Sequence, residues 1–228
     1  MNYHQIFVSL LLAFLFCNCQ TDSNPEKGPL IFADFFIRYL DDEHELKAQA
    51  SFLEGDSINN AVPKTFEGGI AFQGSGMEMK KIQDKLIRYS LIREMDYLDT
   101  FRFKFNNDLG NPEIYSVAMS PIQDFFLQGP ISKSKGMTIV INGGVLNPGE
   151  NLVLLFSDEK NQARTINMVG PKADVEYRFT ADQLKNLTIG KGQLYLVKKQ
   201  LKEQNIGNRV VRTEIEYYTK AIDVEVVE

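Results

Sequence analysis

Strict alternation of apolar and polar residues most limits what this chain can fold into. Leu46, Ala48, Ala50 and Phe52 alternate with Lys47, Gln49 and Ser51; Phe101, Phe103 and Phe105 alternate with Arg102, Lys104 and Asn106. A repeat of two puts one set of side chains on a buried face and the other in water, as in a half-buried strand. Residues 32–39 are the expected partner of the first run across the polar turn Asp41-Asp42-Glu43-His44. Further strands are predicted near 70–73, 77–81, 87–93 and 114–119, separated by glycine- and asparagine-rich turns. Residues 79–92 fit two patterns, since Met79, Ile82, Leu86, Tyr89 and Ile92 also make a helical stripe. The neighbouring strands favour a strand on Ile87, Tyr89 and Leu91, with a turn at 83–85.

A second series begins with alternating Met137, Ile139 and Ile141, turned by Asn142-Gly143-Gly144. Residues 152–156 form a continuous apolar run, expected as a strand covered on both faces. Asp158-Glu159-Lys160-Asn161 reads as a hairpin turn into 163–169, and Val175, Tyr177 and Phe179 alternate after it. Thr180-Ala181-Asp182-Gln183 has capping-box spacing for one short helical turn, with Leu184 and Leu187 facing inward. Residues 194–201 and 210–218 read as a long hairpin, and 221–227 as a last strand. Between the two series the pattern lapses. The expected fold is therefore all-β: one sandwich over 30–122, a linker over 123–136, and a second sandwich over 137–228.

The amino terminus carries a different message. Residues 6–16 are one apolar run, shorter than the roughly 20 residues that cross a bilayer but of the length of a signal-peptide core. Cys19 follows, and then a polar stretch of tether composition through Pro29. An apolar core, a cysteine and a polar tether resemble a bacterial lipoprotein signal. The resemblance implies a signal peptide over 1–18 and a diacylglycerol on the Cys19 thiol, with 19–29 as anchor and tether at the outer membrane. Phe16 and Asn18 stand where that family favours Leu and a small residue; looser boxes of this kind resemble those of Bacteroidetes-type lipoproteins. Stable anchoring takes more than one acyl chain, which the family's multiple acylation supplies. The alternative is ordinary cleavage and release. The second block is similar to the immunoglobulin-like domains of Bacteroidetes cell-envelope lipoproteins. The likeness rests on a strand at 175–179, the Thr-capped turn, Gly190-Lys191-Gly192 and Leu194-Tyr195-Leu196-Val197, with Tyr195 placed for a tyrosine corner. It brings no catalytic residue with it.

Few chemistries remain open. With Cys17 removed and Cys19 lipidated, no thiol is left for a disulfide, a nucleophile or a thiolate metal site. His44 is then the one histidine, so there is no second imidazole for zinc and one base at most for a triad. The net charge of −5 comes with no basic stripe, which excludes a nucleic-acid partner. No P-loop, Rossmann fingerprint, nucleophile elbow or zincin motif occurs, and no cofactor is expected. Asp41, Asp42, Glu43 and Glu45 around His44 are the densest carboxylates, a conceivable Ca²⁺ set, although a solvated turn explains them equally. Asp96 and Asp99 could form half of a paired-carboxylate site. Tyr97, Tyr115, Tyr217 and Tyr218 could make a glycan platform or a core. Lys198, Lys199, Lys202 and Arg209 read as cations toward a hairpin tip. Asp56-Ser57-Ile58 resembles the Bacteroidetes O-glycosylation pattern, which would modify Ser57. The expectation is a lipid-anchored, non-catalytic envelope protein that binds a protein or glycan partner. The alternatives are a periplasm-facing assembly subunit and, third, a secreted hydrolase built around His44.

Overall fold

The structure is a computed structural model that describes residues 28–83 and 85–228. Its strands are β1 (Leu30–Leu40), β2 (Glu45–Gly55), β3 (Val62–Pro63), β4 (Ile70–Phe72), β5 (Ser75–Gly76), β6 (Glu78–Ile82), β7 (Leu86–Glu94), β8 (Phe101–Asn106) and β9 (Pro112–Val117). They continue with β10 (Asp124–Leu127), β11 (Ile131–Ser132), β12 (Met137–Asn142), β13 (Glu150–Asp158), β14 (Ala163–Val169), β15 (Glu176–Phe179), β16 (Gly190–Ile206), β17 (Arg209–Tyr218) and β18 (Ile222–Val227). One short helix, Ala181–Leu184, lies between β15 and β16. The all-β expectation holds, and residues 79–82 and 86–92 are strands. The predicted β1–β2 hairpin forms with Phe35 opposite Ala50 and Tyr39 opposite Leu46.

Burial follows the alternation. Along β1 and β2 every second residue is buried, and Phe101, Phe103 and Phe105 of β8 face the same interior. Phe35 stacks on Tyr115 with ring centres 4.5 Å apart and lies 4.6 Å from Phe103. Phe52 meets Phe66 at 4.8 Å and Phe105 at 5.4 Å, so the first core is largely aromatic. The second core is aliphatic: Ile139, Ile141, Leu152, Leu154, Leu194 and Leu196 are all essentially inaccessible. The capping turn behaves as its spacing implies. The Thr180 amide donates to Gln183 Oε1 at 2.9 Å, and Leu184 and Leu187 are buried.

Strand order amends the domain boundaries. One large sheet runs β11-β18-β16-β17-β1-β2-β7-β6, with β13 and β14 added along β16. Two smaller sheets, β5-β4-β8-β9 and β10-β12-β15, complete a sandwich at either end of it. β16 is the element common to both. Its first half pairs with β18 and with β13; its second half, from Val197, pairs with β17. β17 then pairs in parallel with β1 along its whole length, Arg209 opposite Ile31 through Tyr218 opposite Leu40. The first sandwich is thus finished by a hairpin that comes from the far end of the chain. Residues 137–228 do not close on themselves, and residues 30–122 lack the strand that covers one edge of β1.

The region 123–136 is also corrected. It is not an unpaired linker: β10 pairs with β12, and β11 pairs with β18 through Ile131 opposite Val226. These strands are too short for alternation to mark them. At the tip of the long hairpin Gly207 has φ of 60°, a conformation that favours glycine at the first position of a two-residue turn.

Candidate functional site

The deepest polar feature lies where the two sandwiches meet. On β16 the inward set runs Leu194, Leu196, Lys198 and Gln200; on β13 it runs Glu150, Leu152, Leu154 and Phe156. The alternation that buries leucines therefore also buries Lys198 and Glu150, with side-chain exposures of 0% and 1% and an N–O separation of 3.3 Å. Neither charge is left unsatisfied. Lys198 Nζ also donates to the Val145 carbonyl at 2.9 Å. Glu150 accepts from the Asn147 amide at 2.9 Å and from Gln200 Nε2 at 3.1 Å. Burial pushes the Lys198 ammonium below the ordinary lysine range, and the Glu150 charge partly restores it. The pair acts as a clamp that holds the 143–149 turn against β16. A partnered, inaccessible ammonium is no free nucleophile.

Above this clamp opens a cleft of about 780 Å³. Asp99, Met119, Ser120 and Gln123 line it from the first sandwich and the chain leaving it; Asn147, Glu150 and Gln200 line it from the second. Tyr97 is tied to the lining residue Met119. Its hydroxyl donates to the Met119 carbonyl at 2.8 Å, and its ring meets Tyr39, Phe101 and Tyr217 edge-on. Burial, Glu150 and Asp99 together raise its hydroxyl well above the ordinary tyrosine range. The rim is thus built of carboxamides, one exposed carboxylate and a hydroxyl, a set that hydrogen-bonds a polar ligand in both directions.

The residues singled out in the sequence fall apart in space. His44 is exposed in the β1–β2 turn, 3.7 Å from the highly exposed Asp96 and 3.3 Å from the Tyr39 hydroxyl. Asp99 lines the cleft, whereas Asp96 contacts His44. Of the turn carboxylates Glu45 faces Arg38, and Asp41 interacts with the Tyr217 hydroxyl. Among the described residues no group of three or more His, Cys, Asp or Glu could hold a metal ion. Tyr217 is a core residue; Tyr115 bonds Thr213 at 2.7 Å, and Tyr218 bonds Glu216. The basic hairpin tip is a correction: Lys198 is buried, Lys199 pairs with Glu216, and Arg209 pairs with Glu113. Lys202 alone of the four stays exposed without an ion pair among the described residues. Tyr195 is half-buried against Tyr218; the tethering bond expected of it is made instead by Tyr177, whose hydroxyl donates to the Gly144 carbonyl at 2.8 Å. Ser57 lies on an exposed bend, its hydroxyl bonded to Asn60. Cys19 lies outside the described residues. The clamp itself was missed, although Lys198 shares the parity of Leu194 and Leu196.

No family model matches the chain. No curated protein matches it either. Among solved structures, the adhesin InvE of Yersinia pseudotuberculosis is similar over 83% of this chain and 58% of its own, at 13% identity and a TM-score of 0.24. The chain therefore spans less than two thirds of that adhesin. The fold described above rests on strand pairing alone.

Proposed function

We propose that this protein is a lipid-anchored, non-catalytic binding module of the bacterial cell envelope that takes a polar ligand, a glycan by preference, in the cleft between its sandwiches. The cleft carries the reading. Gln123 offers a donor and an acceptor, while Asn147 and Gln200 each give one side-chain N–H to Glu150 and keep their carbonyl oxygens. Asp99 is exposed on the rim, and the walls come from elements fixed to both halves of β16. Rigid walls lower the ordering cost of binding a hydroxyl-rich ligand. The non-catalytic part rests on the dispersal of the acid and base candidates and on a buried lysine whose contacts are internal. The anchor rests on Cys19 and its flanks.

Glycan arrays probed with the mature chain, with Asp99→Ala and Gln200→Ala as comparisons, test the cleft. Selective retention that both changes abolish is expected; retention indifferent to both refutes the site. For the anchor, Cys19→Ser is expected to abolish acyl labelling and release the protein from membranes, and retention with labelling intact would refute it. A second reading, an assembly subunit, has one observation in its favour. β14 pairs only with β13, so along Ala163–Val169 its outer backbone edge has no strand against it among the described residues. A stoichiometric protein partner lost on Thr165→Pro would support that reading over the first.

A further inference from the structure

Four apolar side chains crowd the end of the first sandwich from which β1 starts. β2 ends there, since Gly55 lies opposite Leu30, and the turn that follows exposes Ile58. Val62 of β3 is exposed beside Glu54. The β16–β17 hairpin turns at the same end and exposes Ile206. The β8–β9 loop joins them, with Leu109 at its tip 84% exposed. These loops are fixed to one another. Lys64 Nζ reaches Glu54 at 2.7 Å and Asp108 at 3.0 Å, Arg209 pairs with Glu113, and Asn208 donates to the Pro29 carbonyl. The same ion pairs neutralise Glu54, Asp108 and Glu113, while Asp56 beside Ile58 makes no ion pair among the described residues. Just beside it Lys80 and Arg88 stand directly opposite each other across β6–β7, and neither makes an ion pair among the described residues. Like charges opposed on one sheet face are unfavourable without a counter-charge.

Single exposed apolar residues are ordinary; four on adjoining, braced loop tips are not. Their position decides the partner. The chain enters the sandwich at this end, and the other end meets the second sandwich. We propose that this end is a lipid-docking surface: Ile58, Val62, Leu109 and Ile206 enter the boundary between headgroups and acyl chains, and Lys80 and Arg88 meet anionic headgroups. The proposal rests on the anchor reading above. From Cys19 to Leu30 the tether has about ten residues, which can span at most about 35 Å. An anchor on so short a tether keeps these tips within reach of the bilayer. Apolar side chains flanked by cations are what an interfacial surface requires.

The test places a polarity-sensitive fluorophore at Leu109→Cys in the acylated chain, with Val169→Cys on the β14 edge as the control. On vesicles of mixed zwitterionic and anionic lipid, the Leu109 probe is expected to shift to the blue and lose most of its quenching by aqueous iodide, while the Val169 probe stays fully quenched. Equal quenching of both probes on a chain that sediments with the vesicles overturns the docking and leaves the anchor standing. Shielding of Leu109 without vesicles overturns it too, by assigning the tips to a second copy. Should the chain not sediment, the anchor reading fails, and Cys19→Ser at millimolar lipid decides the docking alone. Partitioning that falls at least tenfold with Ile58→Asp and Leu109→Asp sustains it, and no partitioning overturns it.

Discussion

If the β16–β17 hairpin completes the first sandwich, residues 28–122 should not fold by themselves. That fragment loses β17, whose Val211, Ile215 and Tyr217 are buried in the full chain. At about 1.5–3 kcal/mol for each large apolar side chain, their removal costs about 5–9 kcal/mol. The Thr213–Tyr115 bond and the parallel ladder to β1 go with them, and one edge of β1 is left unpaired. A domain of this size has about 5–15 kcal/mol of total stability, so the loss is comparable with the whole. The expected result is a fragment with weak β-type far-UV circular dichroism and no cooperative urea transition. Co-expression with residues 123–228 should restore a soluble pair that unfolds in one step. A lone 28–122 fragment with a cooperative transition and native near-UV circular dichroism would show that the shared hairpin is dispensable, and the reasoning would fail.

Lys198→Met leaves Glu150 buried without its cation and should cost about 3–5 kcal/mol in urea denaturation. With Glu150→Gln added, the double variant should lose much less than the sum, and additive losses would contradict the clamp. Tyr115→Phe removes a hydroxyl that bonds Thr213 and accepts from Gln204; a loss of about 1–2 kcal/mol is expected, and no change would mean water replaces both bonds. Burial raises Tyr39, Tyr89, Tyr97, Tyr177 and Tyr217, and burial with Glu216 pushes Tyr218 up to about 12. A raised folded value means stability that is complete below the unfolded value of about 10 and is lost as pH climbs past it. Lowered Lys198 works in the opposite sense, but one lysine faces six tyrosines. Tyrosinate absorbance should therefore rise together with loss of β-structure above about pH 10; ionisation in a folded chain would refute this.

Local pattern explains what the sequence disclosed. Alternation in 46–52 and 101–105 is a property of neighbouring residues, and so are the Thr180 cap and the turn at Asp158, whose carboxylate accepts from the Lys160 and Gln162 amides. The parallel β1–β17 pairing is not local. Arg212 bonds Asp34 across 178 residues, and nothing near either residue announces the other. Alternation shows that Val211, Thr213, Ile215 and Tyr217 face a core; it does not say which one. The cleft was illegible for the same reason, since Asp99 and Gln200 meet only after that pairing is made.

Residue type outweighed position in the reading of Lys198 and Arg209. A lysine in a run with Lys199 and Lys202 suggests solvent, yet parity with Leu194 and Leu196 sends it inward. Burying an ammonium is tolerable only where a carboxylate of matching parity exists, and Glu150 is in phase with Leu152 and Leu154. Two charges placed on inward positions of adjacent strands are thus a stronger sign of a pair than either is of a surface. The same logic separates the two ends of the molecule. The Lys198–Glu150 charge at the junction is matched and sealed, which leaves the cleft its carboxamides and the exposed Asp99. At the free end Glu54, Asp108 and Glu113 are matched, whereas Lys80, Arg88 and the apolar tips are left to the surroundings. That difference is why the proposed ligand site is the cleft and the proposed membrane contact is at the tips.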